Sequence, residues 1–128
     1  MRFDKVWYNS LNRSSLTPPD WLFGVVWPIL YILIIASGVL YFSSGNVTTL
    51  GMTIYIVQWL LNISWSPVFF QLKKIWMSFV IIILMVISVL ITFFEFYKSS
   101  QLSAWLLVPY IIWISFASYL NGYICWNN

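Results

Sequence analysis

The chain has 128 residues, enough for one domain, of which 62% are hydrophobic and only 7% charged. An ordinary soluble domain carries roughly a quarter charged residues, so this surface belongs in a bilayer rather than in water. The net charge is +3 without a single histidine, and the three acids, Asp4, Asp20 and Glu95, lie far apart. Histidine triads and histidine or clustered-carboxylate metal sites are thereby excluded, no glycine-rich phosphate loop occurs, and no basic patch interleaved with aromatics offers a nucleic-acid surface.

Residues 1–20 read as a juxtamembrane segment. They hold no apolar run of the kind a secretory signal needs, and Asp4, Asn9, Asn12 and Pro18-Pro19 interrupt them. Trp7 and Tyr8 are placed there as interfacial rings. Beyond this segment no charge occurs between Asp20 and Lys73, none between Lys74 and Glu95, and none on a side chain after Lys98. A helix needs about 20 apolar residues to cross a hydrocarbon core of roughly 30 Å. The longest gap therefore holds two helices, parted by the turn residues Ser43-Ser44-Gly45-Asn46. The predicted spans are about Trp21–Phe42, Val47–Leu72, Ile75–Phe96 and Leu102–Trp126, so residues 21–126 form one transmembrane domain of an all-α, four-helix membrane bundle. A β-barrel is excluded because runs such as Phe79–Ile87 are apolar on both parities.

Orientation follows from the basic residues. Arg2, Lys5, Arg13, Lys73 and Lys74 fall on the side shared by both termini, and only Lys98 falls on the other. The positive-inside rule then places both termini in the cytoplasm. The single cysteine, Cys125, near the last boundary, has no partner in the chain for a disulfide.

Trp7, Trp21, Trp76, Trp105 and Trp126 sit at predicted boundaries, where amphipathic rings favour the headgroup level. Trp27, Trp59, Trp65 and Trp113 lie inside spans, where an indole N–H needs a partner. Helical spacing groups them. In the first span Trp27 and Tyr31 share a face, with Gly24 a turn earlier and Pro28 between. In the second, Tyr55, Gln58, Asn62, Trp65 and Phe69 recur at steps of three and four. The amides of Gln58 and Asn62 would be unsatisfied against lipid, so that face points inward. In the last, Tyr110, Trp113, Ala117 and Asn121 make one stripe. Two readings fit these faces: interhelical hydrogen bonds that merely hold the bundle, at about 0.6 kcal/mol each, or a pocket walled by aromatic rings with a few orienting polar groups. Periodicity leaves both open.

The third span differs, because Val80–Ile91 is nearly all aliphatic and suits a lipid-facing helix. Ser88, Thr92 and Glu95 share a face near its end. An acid within a membrane is a functional candidate, but Glu95 falls at the boundary three residues before Lys98, where local pairing is expected.

Several spaced motifs bear on the choice. Trp7-Tyr8-x-x-Leu11, Thr17-Pro18-Pro19-x-Trp21 and Trp27-x-x-Leu30-Tyr31 resemble the first loop and following helix of the TspO/translocator protein family, the tryptophan-rich sensory proteins. Gln58-x-x-x-Asn62-x-x-Trp65-x-Pro67-x-Phe69-Phe70 is similar to its next helix. Trp105-Leu106-Leu107-Val108-Pro109-Tyr110-x-x-Trp113 and the Ala117–Asn121 stretch resemble its last.

The resemblance implies an integral membrane receptor or sensor that binds porphyrins (haem-type tetrapyrroles) and other hydrophobic ligands in a tryptophan-lined pocket, with no required cofactor. It implies pocket positions at Trp27, Tyr31, Asn62, Trp65, Tyr110, Trp113 and Ala117, which coincide with the inward faces. Light-dependent porphyrin degradation in some bacterial members implicates the positions of Trp27 and Trp113, and no catalytic residue is assigned. The family has five transmembrane helices, so the fold implied here is that bundle minus its first helix, with a second copy of the chain in a homodimer as one way to replace the wall. The family's sterol pattern is incomplete, since no Lys or Arg follows Tyr119 or Tyr123, and sterol binding is not expected. Two alternatives remain: a small multidrug-type transporter, against which stands the lack of a mid-span acid, and a truncated membrane scaffold that binds nothing.

Overall fold

A computed structural model describes residues 5–11, 13, 15–18 and 20–128. Of the N-terminal residues singled out above, Arg2, Asp4, Asn12 and Pro19 lie outside the described residues, as do the side chains of Lys5, Asn9 and Asp20. The described elements are all helical: α1 (Lys5–Ser10), α2 (Asp20–Phe42), α3 (Thr49–Ser66) running into a π-helical turn (Pro67–Gln71), α4 (Ile75–Ser99), α5 (Gln101–Trp105) and α6 (Val108–Asn127).

Among the described residues, three segments are long and apolar enough to cross a membrane: Trp21–Phe42, Ile75–Ser99 and Gln101–Asn127. α3 is the fourth long helix and the least apolar of the four predicted spans, because Gln58, Asn62, Ser64 and Ser66 lie along it. Large apolar side chains such as Ile32, Leu60, Ile87 and Ile112 cover the outside of the bundle, a surface suited to lipid.

Local chemistry sets the helix ends. The Thr48 hydroxyl accepts from the Gly51 backbone N–H at 2.9 Å and caps α3, worth about 1 kcal/mol. The wide turn after Pro67 is closed by Leu72 N–H to Pro67 C=O at 3.0 Å. Lys73, at φ 56, then takes the left-handed conformation that ends the helix. The last predicted span is interrupted at Leu106–Leu107, between α5 and α6. Pro109 explains the break, because it has no N–H to offer the Trp105 carbonyl four residues back and so cannot continue the ladder.

α4 is the hub, packed against α3, α5 and α6. The expectation of a lipid-facing helix is therefore corrected by half: Ser78, Ile82, Met85, Val89 and Phe96 are buried on one face, while Val80, Leu84, Ile87 and Phe94 stay exposed on the other. Ser88 and Thr92 return their hydroxyl protons to backbone carbonyls one turn earlier, at 2.9 and 2.8 Å, so they join the core without an orphaned donor. Tyr41 stacks on Phe96 at 3.9 Å and 8° and accepts from the Thr48 N–H at 2.9 Å. Ser37 and Ser103 each donate to the other's carbonyl, at 2.7 and 2.6 Å, and lock α2 to α5. α2 meets α3 through long side chains: Tyr55 lies over Gly38 and donates to the Ile34 carbonyl at 2.9 Å. That spacing keeps the two backbones apart toward the N-terminal half of α2, where a cavity opens.

Candidate functional site

The cavity holds about 360 Å³, within the range of about 300–1,000 Å³ usual for small-molecule pockets. α2 contributes Phe23, Gly24, Trp27 and Tyr31; α3 contributes Asn62, Trp65 and Ser66; the π-helical turn adds Phe69 and Phe70. α6 closes the far wall with Ala117, Leu120, Asn121 and Ile124, and α1 reaches in with Tyr8. None of these side chains is charged, so the described lining suits an uncharged, largely apolar body with a few polar atoms.

Each wall is built from local sequence. Trp27 and Tyr31 stand one turn apart with rings 5.7 Å apart and tilted 35°, and Gly24 below them leaves open space where a side chain would stand. Trp65 stacks on Phe69 at 5.4 Å and 23°. Its indole N–H donates to Asn121 Oδ1 at 2.9 Å, which fixes the ring against α6. Tyr8, expected as an interfacial ring, is buried instead, edge-on to Phe69 and Phe70 at 6.2 and 5.6 Å. Trp7 packs beside it against Phe69 at 5.5 Å.

Of the seven expected pocket residues, Trp27, Tyr31, Asn62, Trp65 and Ala117 line the cavity together. Tyr110 does not. It is fully buried behind Asn62, its hydroxyl 2.7 Å from Asn62 Nδ2 and 3.1 Å from Gln58 Oε1. Tyr31, in turn, lies 3.2 Å from Asn62 Oδ1. Trp113 is also set back, edge-on to Trp27 at 6.3 Å and to Phe23 at 5.5 Å, with its indole nitrogen buried and unpartnered. These two support the wall rather than form it. Phe23, Ser66, Leu120 and Ile124 were not singled out from sequence, and Phe70 was named only within a family motif, not as a pocket residue. Phe23 falls four residues before Trp27, and Ile124 seven after Ala117, so extending the same stripes finds both.

Glu95 lies away from the cavity and accepts from Lys98 Nζ at 3.1 Å. Among the described residues, no cluster of metal-ligating side chains occurs.

Residues 2–127 match the model of the TspO/MBR family. The chain is 37% identical over 118 residues to the tryptophan-rich protein TspO of Chlorobaculum tepidum, covering 90% of this chain and 75% of that one. It is 38% identical over 118 residues to protein CrtK of Rhodobacter capsulatus, covering 90% and 74%. Over 128 residues it is 33% identical to the human translocator protein, covering 95% and 74%. The chain thus spans about three-quarters of the length of these relatives.

Proposed function

The chain belongs to the TspO/MBR family, and from that premise we propose that it is a multi-pass membrane receptor or sensor binding porphyrins and other flat hydrophobic ligands in the cavity between α2, α3 and α6. The observation that carries the reading is the convergence of Trp27, Tyr31, Asn62 and Trp65 on one uncharged cavity. Rings flanking a planar body offer stacking area, and Asn62, Ser66 and Asn121 offer hydrogen bonds that orient it. In the proposed topology α2, α3, α4 and the α5–α6 pair each cross the bilayer, with both termini cytoplasmic because the basic residues gather on that side.

Transport by proton exchange is the weaker reading, since Glu95 is engaged with Lys98 at the end of α4 and, among the described residues, no acid lines the cavity. The test is a titration of purified protein with protoporphyrin IX, followed by quenching of tryptophan fluorescence. Saturable quenching is expected, weakened about tenfold by Trp27→Ala, taking base–aromatic stacking as the scale. Trp113→Ala should weaken it less, through loss of support to Trp27. Trp76→Ala, an exposed ring outside the cavity, should leave affinity unchanged. Saturable binding indifferent to Trp27 would refute the reading.

A further inference from the structure

Tyr31, Asn62, Tyr110 and Gln58 form a hydrogen-bonded chain from the cavity wall into the bundle. With the amides as placed, Tyr31 donates to Asn62 Oδ1 at 3.2 Å, Asn62 Nδ2 donates to Tyr110 at 2.7 Å, and Tyr110 donates to Gln58 Oε1 at 3.1 Å. That polarity ends on a buried, unpartnered donor, Gln58 Nε2, in a side chain only 1% exposed. A half-turn of each carboxamide exchanges its oxygen and nitrogen, so the same heavy-atom positions serve a chain running the other way.

Two independent observations favour the reversed chain. The first is distance. Hydroxyl-to-oxygen bonds cluster at about 2.7–2.8 Å and amide N–H bonds extend to about 3.2 Å. As placed, both hydroxyl bonds are the long ones and the amide bond is the short one. Reversed, Gln58 Nε2 donates to Tyr110 across 3.1 Å, Tyr110 donates to Asn62 Oδ1 across 2.7 Å, and Asn62 Nδ2 donates to Tyr31 across 3.2 Å. Each then falls within its own class. The second is satisfaction: Gln58 gains a partner for its amide nitrogen, and a carbonyl oxygen is left over instead, which structures tolerate more readily than an orphaned N–H.

We infer that the chain runs from Gln58 through Tyr110 and Asn62 to Tyr31, so that the cavity presents the Tyr31 hydroxyl as a donor and selects ligands carrying an uncharged hydrogen-bond acceptor such as a carbonyl oxygen. This deepens the cavity reading proposed above and rests on it for the ligand. Gln58 and Tyr110 touch no ligand and are positioning residues: they hold Asn62 with its N–H₂ toward Tyr31, which leaves the Tyr31 proton for the occupant. The third hydroxyl contact, Tyr110 to Met85 Sδ at 3.2 Å, is a weak acceptor and does not compete.

Two measurements separate this inference from the ligand assignment. Without ligand, protein labelled with ¹⁵N at asparagine and glutamine side chains should show cross-peaks from the Asn62 carboxamide protons to the Tyr31 ring, and from those of Gln58 to the Tyr110 ring. Asn62 cross-peaks to Tyr110 with none to Tyr31 would overturn the inference whatever binds. With ligand, protoporphyrin IX dimethyl ester, which carries carbonyl acceptors, is compared with etioporphyrin, which carries only alkyl groups. Tyr31→Phe, which removes the donor, and Tyr110→Phe, which frees Asn62 to turn its oxygen toward Tyr31, should each weaken the ester about three- to tenfold more than they weaken etioporphyrin, the scale of one neutral hydrogen bond. The double variant should lose no more than either alone, because both act through one chain. Additive losses, or equal losses for both porphyrins, would overturn it. Failure of both porphyrins to bind would refute the porphyrin reading and leave the cross-peaks to decide the polarity.

Discussion

Asn121 joins three helices, and its replacement by leucine gives a loss that can be worked out from its contacts. The side chain is 2% exposed. Its Oδ1 accepts from Trp65 Nε1 at 2.9 Å and from Ser78 Oγ at 3.3 Å, and its Nδ2 donates to the Ile75 carbonyl at 3.4 Å. Leucine nearly preserves the volume, so the cost lies in the partners. Ser78 keeps the Ile75 carbonyl at 2.7 Å, and that carbonyl keeps the Cys125 thiol at 3.4 Å. The Trp65 N–H alone is stranded. A fully buried stranded donor costs about 1–3 kcal/mol, and this one is part-buried beside the cavity. Hydrogen bonds between membrane helices average about 0.6 and reach about 1.7 kcal/mol. Asn121→Leu should therefore cost about 1–2 kcal/mol in a reversible denaturant titration in mixed micelles. Adding Trp65→Phe removes the stranded group, so the double variant should be more stable than the sum of the single losses by about 1 kcal/mol. Losses that add to within about 0.3 kcal/mol, the tolerance for independent sites, would refute the reasoning.

Gly24→Leu should preserve stability yet reduce porphyrin binding at least tenfold by filling the cavity, since a Cβ there meets nothing within 4 Å; binding assays with a thermal melt as control decide it. Gly38→Ala should destabilise the bundle by about 1–2 kcal/mol, the usual cost of overpacking, because its Cβ runs into the Tyr55 ring and hydroxyl; the readout is the same denaturant titration. Glu95→Gln should leave ligand affinity within a few fold, as Glu95 is engaged with Lys98 away from the cavity, and proton-driven transport in vesicles that this change abolishes would favour the transporter reading. Reporters fused after Asn128 and within Ser43–Asn46 should land on opposite sides of the membrane, and the same side for both would overturn the proposed topology.

The long helices were legible because charge is so costly in hydrocarbon that its gaps leave room for them: α2 begins at Asp20 and α4 follows directly after Lys74. The cavity faces were legible where one helix carries them: Trp27 with Tyr31, Asn62 with Trp65, and Ala117 with Asn121 each repeat at the helical period. The period names a face but not a depth. Tyr110 and Trp113 share the stripe of Ala117 yet stand up to two turns away along α6, about 10 Å at 1.5 Å per residue, where they pack behind the lining residues Asn62, Phe23 and Trp27. Tyr8 was illegible as a wall because it arrives on a separate short helix whose docking depends on Phe69 and Phe70. The role of α4 as hub was hidden for a related reason. Ser78, Ser88 and Thr92 satisfy themselves on nearby backbone carbonyls, so an aliphatic sequence conceals a face fit for burial.

The central claim, that a flat tetrapyrrole occupies the cavity, is tested most directly by where a bound paramagnetic porphyrin acts. Manganese protoporphyrin is added to protein ¹⁵N-labelled at asparagine side chains, and the loss of each carboxamide signal is measured against the zinc form. Asn62 and Asn121 line the cavity, whereas Asn46 follows the far end of α2, about 20 Å beyond Trp27 at 1.5 Å per residue. The account predicts that Asn62 and Asn121 vanish first and together while Asn46 keeps most of its intensity. Loss at Asn46 with Asn62 and Asn121 intact would place the ligand elsewhere and contradict it.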